Sequence, residues 1–232
     1  MNEFLGALRV YFFDFIGLAG LFLSLLALVF LVRGPLRQYF VLVIYLVSAM
    51  AAAIAEMIVS HNDGNSLRFQ KVYWTGEVIS DLLLFLVVIV FTYKALHGSP
   101  QRVAVGRLLA GVVVFVLLVP FVLFSRPLFR VRWLDHTSQL LNFGAAIMNL
   151  VLWTAILGSK RRDPLLLTLS VGLGIMVTGW AISFGLRSVL PVPEKWIGDA
   201  IGVLSWLASV GLWCWAFRPG AKQRKPLPEA AH

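Results

Sequence analysis

Seven stretches of about 20 mostly apolar residues, joined by short polar turns, make up nearly all of this sequence. A helix rising ~1.5 Å per residue needs that length to cross ~30 Å of hydrocarbon. The stretches run from Phe15 to Val32, Tyr39 to Ser60, Val72 to Tyr93, Val103 to Phe124, Leu134 to Leu157, Leu165 to Leu186 and Trp196 to Phe217. They predict an all-α, polytopic bundle of seven transmembrane helices over residues 1–218. The basic, proline-containing tail over 219–232 reads as disordered. Composition agrees: 59% of the 232 residues are hydrophobic and 13% charged. Soluble domains carry about 45–50% and about 25% respectively, so too few charges remain to solvate a globule. A soluble enzyme, a disordered chain and a free nucleic-acid binder are excluded. The partner this composition demands is the lipid bilayer.

The first stretch does not read as a cleaved signal peptide, because it follows Met1, Asn2 and Glu3 rather than a basic segment. Its apolar run is also too long, and no small-residue cleavage site follows. Residues Phe4 to Phe13 are apolar and aromatic around Arg9, so the helix could begin earlier or lie along the interface. The net charge of +9 reflects loops and orientation before it reflects ligands. Counted on alternate sides, twelve Lys and Arg fall on the side of Arg33 and Lys94, and eight on the side of Arg9 and Arg68. The positive-inside rule then puts the N-terminus outside and the tail in the cytoplasm. Nine of the eleven acids fall in the outer half, the exceptions being Asp163 and Glu229.

An internal echo is visible. Trp74-Thr75-Gly76-Glu77-Val78-Ile79 opens the third span, and Trp196-Ile197-Gly198-Asp199-Ala200-Ile201 opens the seventh. Gly34-Pro35-Leu36 before the second span is matched by Asp163-Pro164-Leu165 before the sixth. Together they suggest that spans one to three and five to seven are parallel copies with the fourth as a linker, an established transporter plan.

Ionisable groups in hydrocarbon cost at least ~2.5 kcal/mol at mid-span and normally face a partner or a wet cavity. Glu77 and Asp81 stand four residues apart on one face of the third span, with Asp81 near mid-bilayer. Glu56 lies near the outer end of the second span and Asp199 one turn into the seventh. In the fifth, Asp135, Asn142 and Asn149 recur every seven residues along one stripe, with Gln139 beside it. These groups could line an outward-opening polar pocket, with Arg187, His61 and His136 as counter-charges. Either they are buried bonds holding the bundle together, or they bind a ligand, an ion or a proton. Two desolvated carboxylates one turn apart are suited to sharing a proton or a cation.

Metal spacing is absent around His61 and His136, and a single cysteine, Cys214, excludes a Cys-based cluster. No cofactor is expected. A retinal Schiff base needs a lysine deep in the seventh span, and Lys195 sits only at its mouth. Haem would need axial histidines within the spans. Hydrolase, P-loop and metalloprotease motifs are missing, which favours a non-catalytic protein.

With Tyr73-Trp74 and Glu77 opening the third span, the chain resembles uncharacterised bacterial seven-helix integral membrane proteins. That resemblance implies a bacterial inner membrane and brings no functional residues. The three-one-three layout is similar to SWEET-type sugar transporters, but their in-span prolines are missing: only Pro120, in the fourth span, lies inside one. Two functional classes follow. The leading one is a non-catalytic ligand-binding or sensing bundle with an outward-facing polar pocket, or a subunit of a larger membrane complex or homo-oligomer. The alternative is a small-solute or proton- or cation-coupled transporter or channel.

Overall fold

The computed structural model describes residues 2–63, 66–96, 102–123, 131–158 and 163–218. It contains α1 (Asn2–Arg33), α2 (Phe40–Asp63), α3 (Leu67–Ala95), α4 (Arg102–Leu123), α5 (Val131–Gly158), α6 (Pro164–Val189) and α7 (Trp196–Phe217). Short 3-10 turns at Leu36–Gln38 and Val192–Glu194 precede α2 and α7, and no strand occurs among the described residues. All seven helices are long and apolar enough to cross a membrane. Their outward faces carry Phe15, Phe22, Phe115, Ile147 and Leu150, each more than 60% exposed. Water would not tolerate such a surface, and lipid covers it. The chain is a multi-pass integral membrane protein. The tail at 219–232 lies outside the described residues.

Helix ends follow local chemistry. Ser66 caps α3 by accepting a hydrogen bond from the Phe69 backbone N–H at 3.2 Å, so α3 starts before its apolar run and includes polar Arg68, Gln70 and Lys71. Asp163 caps α6, accepting from Leu165 and Leu166 N–H at 3.0 and 3.3 Å, with Pro164 at the first helical position. Pro35 does something else: it follows the end of α1 and opens the 3-10 turn, with α2 starting only at Phe40. The two proline echoes therefore occupy different structural positions. α1 begins at Asn2, the earlier of the two starts the sequence allows. Pro120 lies in the last turn of α4, where carbonyls lack helical partners, and the Trp133 indole of α5 donates to its carbonyl at 3.3 Å.

Packing follows a ring in which α1, α2, α3, α5, α6 and α7 touch in that order and α7 closes onto α1. α4 stays outside the ring, against α5 and α3. The contacts come in matched pairs: α1 with α2 as α5 with α6, α2 with α3 as α6 with α7, and α3 with α5 as α7 with α1. A parallel three-one-three repeat predicts this order. Individual residues keep the register. A Cβ on Gly76 would stand 3.0 Å from the Ala52 Cβ and 3.5 Å from Glu56 Oε1; one on Gly198 would stand 2.9 Å from the Ser183 carbonyl oxygen and 3.2 Å from Arg187 Cγ. Ala52 and Glu56 thus correspond to Ser183 and Arg187, four residues apart in both. Eleven residues before Glu56 is Tyr45, and eleven before Arg187 is Met176. Those two meet: the Tyr45 hydroxyl donates to Met176 Sδ at 3.2 Å. A residue that touches its own counterpart must lie at the pseudo-two-fold axis, which therefore runs through the core between α2 and α6.

Close approach of α6 and α7 at Gly198 yields a stability prediction. Gly198→Val should destabilise the protein by about 1–3 kcal/mol, since the added atoms overpack a backbone carbonyl. Gly185→Ala, on the open face of α6 with nothing within 4 Å, should be neutral or stabilising. Thermal unfolding of the detergent-purified variants measures both.

Candidate functional site

The polar groups sit where the two helix triplets meet. Asp81 is the middle residue of α3 and 5% exposed. α5 approaches closely here, because Gly144 would bring a Cβ within 3.5 Å of Phe85, one turn beyond Asp81. Two α5 side chains one turn apart reach the carboxylate: the Ser138 hydroxyl donates to Oδ2, and Asn142 Nδ2 lies 3.5 Å from Oδ1. Asn142 is fully buried, and its own Oδ1 has no hydrogen-bond partner among the described residues.

One turn back on α3, Glu77 joins Asp81 to a second group of charges. It interacts with Asp81, with Glu56 of α2 and with Arg187 of α6. Arg187 is the hub of that group. It forms a charge-assisted bond and ion pair with Asp199 of α7, and its charge acts on Tyr73 of α3. Its guanidinium also lies 5.7 Å from the Phe184 ring centroid. Gly198 permits the pairing by letting the α7 backbone approach the Arg187 stem. Asp199, the next residue, then faces the guanidinium.

Tyr45, on the axis, faces both Asp81 and Glu77. Its hydroxyl donates to Met176 Sδ, tying α2 to α6. Trp206 packs on Gly20 of α1, Trp180 on Gly202 of α7, and the Trp153 indole donates to the Ser170 carbonyl oxygen at 3.4 Å. These deep tryptophans are packing elements.

Of the residues singled out by sequence, Asp81 and Asn142 meet where α3 packs on α5, Arg187 pairs with Asp199, and Glu56 and Glu77 lie within electrostatic reach of these groups. Asn149 is buried two turns further along α5, beside Gly174 of α6, and its Oδ1 has no hydrogen-bond partner among the described residues. Asp135 and Gln139 instead bond each other along α5, Gln139 Nε2 donating to Asp135 Oδ1 at 3.0 Å. His136 and His61 are exposed, leaving Arg187 as the counter-charge to Asp199 and Glu77. Ser138, Tyr45, Tyr73 and Met176 were not foreseen. Ser138 alone left a signal, being four residues before Asn142 on the same face. Among the described residues no group of three or more His, Cys, Asp or Glu is placed to hold a metal ion. A groove of about 410 Å³ opens between α2 and α3, lined by small residues such as Ala52, Ala55 and Gly76, with Lys71 at its edge and no acid in its wall.

Comparison with known proteins finds no matching family model, curated protein or solved structure. The functional reading therefore rests on the geometry alone.

The Arg187–Asp199 pair is partly exposed, with side chains 22% and 30% accessible, so its strength lies between that of a surface pair and a buried one. A double-mutant cycle with Arg187→Gln and Asp199→Asn should show a coupling of about 1–2 kcal/mol in thermal or chemical unfolding. Arg187→Gln should be the more damaging single change, because it also strands Glu77.

Proposed function

We propose that this chain is a small membrane carrier, moving a small solute or a coupled proton or cation between its two three-helix halves. The alternatives are a sensing bundle and a subunit of a larger assembly. One observation carries the choice: Arg187 is held by Asp199 within the α6–α7 half, and its charge also acts on Tyr73 and Glu77 on α3 of the other half. A charge interaction across the seam between the halves is what an alternating-access movement would strengthen and weaken. Carriers built from repeats place their sites near mid-depth at such a seam, and Asp81, the middle residue of α3, faces α5 across it. An acid in hydrocarbon is itself a functional signal, and here three acids and the Arg187 pair converge. With no proline inside any ring helix, the movement would be of rigid triplets rather than of helices bending at prolines.

The protein sits in a bacterial inner membrane with its N-terminus outside, on this proposal. The excess of Lys and Arg on the opposite side supports the orientation. A fluorescent protein fused to the C-terminus should then fold and glow in the cytoplasm, whereas a periplasm-dependent phosphatase fused there should stay inactive. The reverse pattern would invert the topology.

Reconstituted into liposomes, the protein should move protons or monovalent cations down an imposed gradient, read by a pH-sensitive or cation-sensitive dye. Asp81→Asn, purified in folded form, should slow that flux by about tenfold or more, at least 1.4 kcal/mol on the barrier. Wild-type flux from Asp81→Asn would remove the site. Absence of flux, together with constant co-purification of fixed partner polypeptides in mild detergent, would favour the subunit reading.

A further inference from the structure

The groove between α2 and α3 changes character along its length. At its mouth stands Lys71, in the polar turn that opens α3 and directly before the apolar run begins at Val72. Lys71 is exposed, and its side chain makes no ion pair or hydrogen bond among the described residues. Arg68 stands three residues before it, on the same helix face. Thr75 lies one turn below, and beyond it Gly76, Ile79, Ala51 and Ala52 make an apolar wall that does not include Glu56. Ala51, Thr75 and Ile79 are exposed, so the groove opens sideways to the bilayer.

Depth and charge together select the occupant. From Lys71 to Ile79 the groove descends about 12 Å at ~1.5 Å per residue. One leaflet's share of the ~30 Å hydrocarbon layer is about 15 Å. An acyl chain entering from one surface ends near that depth, whereas a partner's spanning helix continues through the whole thickness. A second copy of this chain, related by a two-fold axis along the membrane normal, would also set Lys71 against Lys71 at one depth. Like charges held close at low dielectric repel. A head group of net negative charge is instead attracted to the basic mouth, while the ammonium of a zwitterionic one offsets that attraction.

We infer that the α2–α3 groove holds one anionic glycerophospholipid of the phosphatidylglycerol class, with an acyl chain along Ala51, Ala52 and Gly76 and its phosphate at Lys71 and Arg68. None of the acids around Asp81 lines this groove, and the inference stands independently of the carrier reading.

Native mass spectrometry of the full chain, purified in mild detergent and offered dioleoyl-phosphatidylglycerol, should show one retained lipid. Dioleoyl-phosphatidylethanolamine should be retained about fivefold more weakly, and glycerol 3-phosphate, which lacks the chains, not at all. The bound lipid should also raise the thermal unfolding midpoint saturably. Lys71→Gln should weaken retention about fivefold. Ala51→Phe, which fills the groove from its exposed rim, should abolish it. Lys195→Gln, at the start of α7 on the same side of the bundle, should leave it unchanged. Unfolding midpoints measured without lipid establish that each variant is folded. Equal retention of the two lipids would overturn the inference, as would unchanged retention by folded Lys71→Gln or Ala51→Phe. A concentration-dependent dimer that Ala51→Phe disrupts would overturn it as well, giving the groove to a second copy.

Discussion

Hydrocarbon offers no hydrogen bonds, so every polar atom of a spanning segment must find its partner within the protein. That requirement explains the polar contacts throughout this bundle. The Trp213 indole donates to the Leu169 carbonyl oxygen at 3.2 Å, the Thr92 hydroxyl to that of Val88 at 2.8 Å, and Thr137 to that of Trp133 at 2.7 Å. Trp133 supplies what the end of α4 lacks, and the Tyr45 hydroxyl finds the Met176 thioether at the axis. Apolar burial cannot drive association here, because lipid is as apolar as leucine; close packing at Gly76, Gly172 and Gly198 takes that role.

The scaffold is close to two-fold symmetric while its charges are not. Glu77 and Asp199 follow equivalent glycines and carry the same sign. Glu56 and Arg187 occupy equivalent places on α2 and α6 with opposite signs. One half thus pairs an acid with a base, and the other sets two acids side by side. The imbalance pulls Arg187 toward Glu77 across the seam and leaves Asp81 to the neutral side chains of α5.

Much of this was legible in the sequence, for reasons of scale. A span of hydrocarbon sets a minimum length of apolar chain, so all seven helices could be placed, α7 to the residue. Ends were less legible, because a helix can run on past the lipid: Leu67 to Lys71 lengthen α3 with a polar turn that hydropathy assigns to a loop. The Trp-x-Gly-acid match marked equivalent positions because glycine there answers a packing need common to both halves. The proline match did not, since Pro164 starts a helix and Pro35 precedes a turn. Glu77, Asp81 and Asn142 declared themselves by charge and by spacing. Tyr45 and Met176 could not, because hydroxyls and thioethers are ordinary helix residues until a neighbour is known; Ser138 showed only as the residue four before Asn142 on the same face. That α3 lies beside α5, across the linker, is a tertiary fact no spacing encodes.

The exclusion of α4 from the ring is a matter of parity. Three crossings leave a chain on the face opposite its start, so a second triplet can run in the same direction only after one further crossing brings the chain back. α4 returns the chain, and its side chains answer chiefly to the lipid around them. Val103, Leu108, Phe115 and Val122 each turn more than 60% of their surface away from the protein. Pro120 is tolerated because it lies in the last turn of α4, where the Trp133 indole takes up its carbonyl. Drift in this helix should thus be limited by length and oiliness, while the six helices of the ring answer to one another residue by residue.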